Sequence, residues 1–185
     1  GVIDCEAEDW VMDDASQIVL FGALKAKCGA TTGLMGQLQS VAARSAVRGE
    51  EELSWATTDG FNVVQSQRAG DLYQFGDFQL ELDVKFSAEM QGTAIAPNMV
   101  HSIDACQMRR AMLILGKETP IAAIHDSLGT RPSDYWKAAV AVRQAFSDVA
   151  PRETVEAFMS KYDVELEVLG DYEPEEAMQS SYFWC

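Results

Sequence analysis

His125 and Asp126 are the adjacent residues of this chain best placed to do chemistry. They follow a short apolar run at 121–124, and Gly129 and Pro132 turn the chain soon afterwards. A carboxylate at the end of a strand beside a turn is well placed to bind a divalent cation. The same pair is also a common turn or capping device, so these residue types alone leave both interpretations open.

A second group of polar residues lies on a predicted helix upstream of this pair. Asn98, preceded by Pro97, is a good starting residue, and the helix is expected to end near Gly116. His101 and Asp104 are three residues apart and therefore share one face of the helix. The apolar residues are expected to form a separate stripe: Met99, Ile103, Cys106 and Leu113.

The rest of the chain predicts a mixture of helices and short strands. Helical periodicity covers residues 8–27 and 31–47, and Ser133 is expected to cap a helix over 134–149, with a shorter helix over 152–161. The capped helix should turn these apolar side chains inward: Tyr135, Ala139, Val142, Phe146 and Val149.

Between the predicted helices, the spacing of the apolar residues changes from the helical period to alternation at every second position. Residues 55–65 predict a strand, an Asp-Gly turn and a second strand. Residues 78–86 alternate strictly, which predicts a strand with one face in solvent and one face buried. Residues 87–96 are expected to form a polar loop. The fold class expected is therefore α+β, with helices and a small antiparallel sheet.

The charge of the chain limits the partners it can have. The 185 residues carry a formal net charge of −15, which argues against a free-standing DNA-binding module. Only residues 99–150, with six basic and five acidic side chains, could lie near a polyanion without strong repulsion.

The cysteines and the hydropathy of the chain indicate the cellular compartment in which it works. Cys5, Cys28, Cys106 and Cys185 form no C-x-x-C pair, and we interpret them as reduced, buried apolar thiols in a cytoplasmic protein. No apolar run approaches the ~20 residues that cross a bilayer, so no membrane association is expected. The acidic start of the chain does not have the pattern of a secretory signal.

Four segments resemble, in order, segments of the single-subunit RNA polymerases of T-odd phages and mitochondria. They are WATTDGF at 55–61, APNMVHSID at 96–104, AIHDSLGTRPSD at 123–134 and the aromatic end SYFWC at 181–185. The third is similar to motif C of that family, with Leu128 where phage members carry phenylalanine. The resemblance extends over about residues 31–185.

The resemblance implies roles for individual residues. Asp126 corresponds to the motif C aspartate, which would hold two Mg²⁺ ions together with an aspartate outside this chain. His125, Ser127, His101 and Asp104 would position the RNA 3′ end and the template. Arg109 and Arg110 would contact the phosphate backbone of this nucleic acid, and a solvated helix face is equally compatible with them. Phe183 would anchor the C-terminus beneath the site.

The implied architecture is part of the palm and fingers of a right-hand polymerase, with motif C on a β-hairpin. Residues 1–52 would form a helical fingers-like segment, residues 53–96 the counterpart of the promoter-specificity hairpin, and residues 97–185 the palm segment and tail. The partners of the chain would be template DNA, RNA product and nucleoside triphosphates. It would work in the cytoplasm, which is the host's cytoplasm if a phage encodes the chain.

Two departures from the family's pattern affect this interpretation. The motif A aspartate and the motif B lysine and tyrosine are absent, so the chain is expected to need an upstream polymerase portion or second subunit and to be inactive alone. The segment between the Asp-Gly turn and the APN helix is short and acidic, which opposes phosphate contact, so a promoter-recognition factor could be needed.

Two alternatives to an RNA polymerase portion stay open at this point. The first is a non-catalytic, acidic interaction subunit with a polymerase-like fold, suggested by the net charge and the missing motifs. The second is a fragment of a family A DNA polymerase. Ser127 argues against the second, because that family carries a glutamate there.

Overall fold

The computed structural model describes residues 28–149, 151–167 and 174–180, and its first element is helix α1, Gly29–Val47. Its apolar face buries Leu38, Val41 and Ala42. Gly49, which has φ +78°, follows the end of the helix, as expected for a residue that supplies the left-handed conformation. The helix predicted over 31–47 is confirmed, whereas the one predicted over 8–27 lies outside the described residues.

Strands β1, Leu53–Ala56, and β2, Asn62–Gln65, form an antiparallel hairpin. The turn is closed by two backbone bonds, from the Thr57 N–H to the Phe61 carbonyl (3.0 Å) and from the Gly60 N–H to the Thr57 carbonyl (2.8 Å). Gly60 has φ +82°, a conformation that glycine adopts without strain. The predicted strand, Asp-Gly turn and strand are confirmed.

Strands β3, Arg68–Phe75, and β4, Phe78–Phe86, form a second antiparallel hairpin. The strand predicted over 78–86 is confirmed, but the prediction that one of its faces is buried is wrong. Every residue of β4 before Phe86 is exposed. Alternation determines which side chains share a face of a strand, whereas burial of that face requires another element to pack on it.

Helix α2, Ala88–Leu115, replaces both the loop predicted over 87–96 and the helix predicted to begin near Asn98. Its N-cap is Ser87, whose hydroxyl accepts a bond from the Met90 N–H. Pro97 lies inside the helix, and the boundary expected between residues 96 and 97 therefore falls within one continuous element.

Buried amide contacts explain why the helix extends ahead of its proline. The side chain of Gln91 donates to the carbonyl of Gln65 and accepts from the backbone N–H of Gln67. The Gln65 side chain in turn donates to the carbonyl of Gln91. Ile95 and Ala96 are buried in the same turn region, so tertiary packing offsets the hydrogen bond that the proline removes.

The apolar stripe predicted for this helix is only partly correct. Met99 and Cys106 are buried, and Ile103 packs against the core. Leu113, however, is 73% exposed. It lies near the end of the helix, beyond the part that the other elements cover.

Strands β5, Ile121–Ile124, and β6, Ser127–Thr130, form a third hairpin with a two-residue turn. A 3₁₀ turn, Pro132–Asp134, leads into helix α3, Tyr135–Asp148. Helices α4, Pro151–Lys161, and α5, Glu176–Gln179, follow. The helices predicted over 134–149 and 152–161 are confirmed.

Two details of helix α3 differ from prediction. Its N-cap residue is Asp134 rather than Ser133, and no side chain makes a capping bond. Asp134 is buried and pairs instead with Arg131 and Lys137. Tyr135, expected to point inward, is 46% exposed and contacts the neighbouring Trp136 edge to face.

Two buried clusters hold the described elements together. The larger joins α1, β1, α2 and α4, and includes an edge-to-face contact between Trp55 and Phe158 with ring centroids 5.8 Å apart. The smaller consists of Ala111, Val142 and Ala145, with Leu128 of β6 packed against it. The third hairpin therefore rests on the contact between α2 and α3.

The cysteines only partly follow the expectation of burial. Cys106 is buried, but Cys28 is exposed, because it lies just before α1 where no other described element covers it. Cys5 and Cys185 lie outside the described residues. Among the helices of the described ranges, none is long and apolar enough to cross a membrane.

Candidate functional site

The structure brings four sequence-predicted residues together at one cleft. His101 and Asp104 contribute from α2, and His125 and Asp126 contribute from the β5–β6 turn; Ala105 completes the lining. The cleft has a volume of about 470 Å³ and is open to solvent. All four side chains are exposed, so a ligand entering the cleft could reach each of them.

The β5–β6 hairpin sets the position of the His125–Asp126 turn. Ile124 and Ser127 are the last pair of the ladder, so the two residues between them form the tip. His125 has φ +54°, the left-handed conformation that two-residue hairpin turns require and that histidine adopts more readily than most residues. Leu128 anchors the hairpin on the smaller cluster. The local turn thus exposes Asp126, and the contact of Leu128 with the smaller cluster places this turn beside α2.

The carboxylate of Asp126 is unengaged within the described part of the chain. It takes part in no hydrogen bond or ion pair there. Mg²⁺ is commonly bound through one or two carboxylates together with substrate phosphates and water. The carboxylates of Asp126 and Asp104 on the cleft wall fit part of such a site.

The described residues do not form a complete metal centre. Across 28–149, 151–167 and 174–180, no group of three or more His, Cys, Asp and Glu side chains is arranged to hold a metal ion. A magnesium site that used Asp126 would need further oxygen ligands, from another acid or from the substrate.

Arg109 belongs to a contact that the sequence analysis did not predict. Its guanidinium binds both oxygens of Asp59, with Nε at 2.6 Å from one and Nη2 at 3.0 Å from the other. The same group lies 4.7 Å from the centre of the Phe61 ring. Thr57 also donates to Asp59 through its hydroxyl. The β1–β2 turn is therefore fastened to α2 one helical turn beyond Asp104.

The electrostatics of this pair follow from its geometry. The hydrogen bonds from Arg109 hold the pKa of Asp59 well below its ordinary value, although partial burial opposes the shift. Asp59 in turn raises the pKa of Arg109. The sequence signal was present, because Asp59 and Phe61 lie in the WATTDGF segment, but their partner Arg109 lies fifty positions beyond Asp59.

Other charged residues near the site are also engaged within the chain. Arg110 pairs with Asp148 of α3 at 3.0 Å. Hydrogen bonds from Lys137 and Arg131 lower the pKa of Asp134, which follows the third hairpin in the chain. Contact of Arg109 or Arg110 with a phosphate backbone stays a prediction. Phe183, expected to anchor the C-terminus, lies outside the described residues.

Comparison with known families identifies the chain as a relative of polymerases. Residues 6–180 match the family described as DNA-dependent RNA polymerase. The chain belongs to that family. The expectation from the four motifs is thereby confirmed, and the match is to RNA polymerases rather than to the DNA polymerases considered as an alternative. The α+β class is confirmed as well.

Individual relatives come from phages and from plants. The DNA-directed RNA polymerase of Enterobacteria phage T3 is 36% identical over 104 residues, and T7 RNA polymerase of Escherichia phage T7 is 35% identical over 108. These matches cover 49% and 51% of this chain but only 12% of either phage enzyme. A protein of Nicotiana tabacum, DNA-directed RNA polymerase 1A, is 31% identical over 146 residues, which are 70% of this chain and 93% of that protein.

Proposed function

We propose that this polymerase-family chain supplies the motif C aspartate, Asp126, to the two-metal centre of a DNA-directed RNA polymerase. The observation that carries the proposal is the cleft itself. Motif residues more than twenty positions apart line it together, and the Asp126 carboxylate faces it without a partner in the described ranges. Two Mg²⁺ ions, when bound, would activate the RNA 3′-hydroxyl and neutralise charge on the triphosphate.

The residues of the cleft then divide the work of nucleotidyl transfer. The Asp126 carboxylate holds metal, jointly with an aspartate from outside this chain. His125, at the same hairpin tip, positions the RNA 3′ end, and Ser127 supports the turn at the start of β6. His101 and Asp104 contact the RNA–template duplex from the α2 face. Catalysis arises mainly from alignment and from fixed charge.

The same proposal assigns the segments of the chain to a right-hand polymerase. Residues 1–52 belong to the fingers, residues 53–96 contain the counterpart of the specificity hairpin, and residues 97–185 belong to the palm. Because α2 spans the last boundary, one continuous helix joins the hairpin segment to the palm. The chain's partners are the polymerase residues that complete the metal centre, together with template DNA, RNA and nucleoside triphosphates.

The first prediction tests Asp126 by its effect on RNA extension. The chain is combined with the motif A and B portion of a phage-type polymerase, supplied as a second polypeptide or fused ahead of residue 1. Asp126→Asn should lower the rate of nucleotide addition on a preassembled RNA–DNA scaffold by roughly 10²–10⁴-fold, because a metal ligand contributes several kcal/mol in the transition state.

Asp163→Asn is the matched control for this experiment. Asp163 is an exposed aspartate beyond α4 and lies outside the cleft, so the same change of charge there should leave the rate unaltered. Mn²⁺ binding by the assembled complex gives a second measurement, and it should weaken only in Asp126→Asn. Extension by Asp126→Asn at the rate of the control would contradict the proposal.

The same measurements address the second candidate function, a non-catalytic acidic subunit with a polymerase-like fold. The net charge of −15 favours this candidate, because acidic side chains oppose contact with nucleic acid. If it is correct, the assembled complex binds Mn²⁺ and extends RNA equally well with and without the Asp126 carboxylate.

A further inference from the structure

We propose that Trp55 is a positioning residue for nucleotidyl transfer, and that it orients the α2 wall of the cleft through the hydroxyl of Ser102. The inference rests on the function proposed above and adds a role for a motif to which that function gives none. The WATTDGF segment at 55–61 is one of the four motifs, yet none of its side chains is among the described residues that line the cleft.

A chain of two hydrogen bonds joins Trp55 to the turn of α2 that enters the cleft. The indole N–H of Trp55 donates to the Ser102 hydroxyl at 2.9 Å, and this hydroxyl donates to the Met99 carbonyl at 2.7 Å. Trp55 is only 5% exposed, and a buried indole N–H needs a hydrogen-bond partner. Ser102 lies between His101 and Asp104 in the sequence, so the contact acts on the helical turn that carries both.

Two further contacts from the same segment hold the elements around the cleft. Asp59 binds Arg109 of α2 through two hydrogen bonds. The Thr58 hydroxyl donates to the carbonyl of Val149, at the end of α3, at 2.7 Å. Ser102 and Arg109 are seven positions apart, which places them on nearly the same side of α2 and about two turns from each other. The segment therefore holds one side of this helix at two points.

Helix geometry explains how contacts on one side of α2 position side chains on another. At about 100° per residue, the cleft-lining residues of α2 centre roughly a quarter turn around the helix from Ser102. A helix with its side chains has a radius of ~5–6 Å, so a rotation of about 10° displaces a side-chain tip by about 1 Å. A misplacement of that size can cost roughly 10²-fold in rate. Fixing the rotation of α2 therefore keeps His101 and Asp104 aligned with Asp126 on the opposite wall.

The second prediction tests this contact in the assembled polymerase described for the first prediction. Ser102→Ala removes the hydroxyl and should lower the maximal rate of nucleotide addition by roughly tenfold, because the rotation of α2 is then less fixed. The KM for the nucleoside triphosphate should change by less than about twofold, since the α2 face is assigned to the RNA–template duplex. Mn²⁺ binding should be unchanged, because Asp126 is intact. Ser102→Thr keeps the hydroxyl and should retain most of the rate.

Ser45→Ala is the matched control for Ser102→Ala. Ser45 is buried in α1, and its hydroxyl donates to the Glu50 carboxylate at 2.7 Å. The control therefore removes the same atom from another helix, together with a hydrogen bond to another part of the chain, and it lies outside the cleft. Thermal melting verifies that both variants fold. Only Ser102→Ala should slow RNA extension, which loss of a structural hydrogen bond elsewhere does not do.

Trp55→Phe tests the same contact from the donor side. It removes the indole N–H but keeps an aromatic ring beside Phe158, which Trp55 contacts edge to face. This variant should also slow nucleotide addition. The double variant Trp55→Phe with Ser102→Ala should be about as slow as the slower single variant, because a contact that one substitution has removed cannot be lost twice.

The outcomes separate this inference from the proposed function. If Asp126→Asn is slow while Ser102→Ala extends RNA as fast as Ser45→Ala, the positioning role is wrong and the proposed function stands. If Asp126→Asn extends RNA at the wild-type rate, both are wrong. The positioning role is also overturned if the two single effects multiply in the double variant, since Trp55 and Ser102 would then act independently. Extension by Ser102→Thr that is as slow as by Ser102→Ala would overturn it as well, because the hydroxyl would not be the cause.

Discussion

At the scale of single residues, the pair of Asp59 and Arg109 determines how the β1–β2 turn meets the helix that lines the cleft. The two side chains are 25% and 32% exposed, respectively, and their contact is bidentate. A fork of this kind is stronger and more directional than a single surface ion pair. By comparison, both side chains of the pair between Arg68 and Glu51 are 52% exposed, and they make one contact.

The third prediction concerns the stability that Asp59 contributes. Asp59→Asn should lower the free energy of unfolding by roughly 1–2 kcal/mol at neutral pH, whereas Glu51→Gln should cost less than ~1 kcal/mol. Urea unfolding of both variants measures the difference. Equal costs for the two variants would mean that the Asp59 contact is an ordinary surface pair.

The pH dependence of that difference follows from the direction of the pKa shift. Folding lowers the pKa of Asp59, so its contribution is fully present above the unfolded-state value of ~3.9. It is lost as the pH falls from there through the lower pKa of the folded state. The wild type and Asp59→Asn should therefore converge in stability at acid pH, and divergence on acidification would contradict this assignment.

At the scale of elements, helix α2 is the part of the fold on which the site depends most. It carries His101 and Asp104 at the cleft and Arg109, whose side chain binds the β1–β2 turn. It also packs against both α1 and α3. Its first turns are held by the buried amide contacts between Gln91 and Gln65 of β2 and by the Ser87 cap. A change at the start of this helix therefore affects the support of the cleft.

The fourth prediction compares two serines that precede helices. Ser87→Ala removes a hydroxyl that accepts the Met90 N–H and should lower the free energy of unfolding by about 1 kcal/mol. Ser133→Ala should be nearly neutral, because Asp134 occupies the N-cap of α3 and no side chain makes a capping bond there. Urea unfolding followed by circular dichroism measures both, and an equal or larger cost for Ser133→Ala would refute the cap assignment.

At the scale of the whole molecule, charge opposes the compact state. The net charge is −15, and the ion pairs found in the described residues engage only some of the acidic side chains. Self-repulsion of this kind weakens folding and is reduced when salt screens it.

The fifth prediction is that salt stabilises the isolated chain. The melting temperature at pH 7 should rise by a few degrees between about 0.01 M and 0.15 M NaCl, as the Debye length falls from ~30 Å to ~8 Å. Near the sequence isoelectric point of about 4.4 the effect should vanish, because repulsion between like charges is then small. A melting temperature that falls with salt at pH 7 would mean that favourable ion pairs outweigh repulsion.

The local elements of this fold were largely predictable from sequence. The β1–β2 turn, the alternation of β4 and the helices of residues 29–47 and 151–161 follow from apolar period and from turn residues, which act over a few positions. The family followed from the order of short motifs. The exceptions are α2, where Pro97 was interpreted as a start, and the cap of α3, where two polar residues compete for one position.

What the sequence by itself determined was which residues are chemically capable and which local elements carry them. Only the tertiary structure decided that His101 and Asp104 face the same cleft as His125 and Asp126, that Asp59 reaches Arg109, and that the alternating strand β4 exposes its apolar face. The physical reason is the range of each interaction. Period, turns and caps are decided between near neighbours, whereas cleft, ion pair and exposure depend on how α2 packs against α3 and against the β1–β2 hairpin.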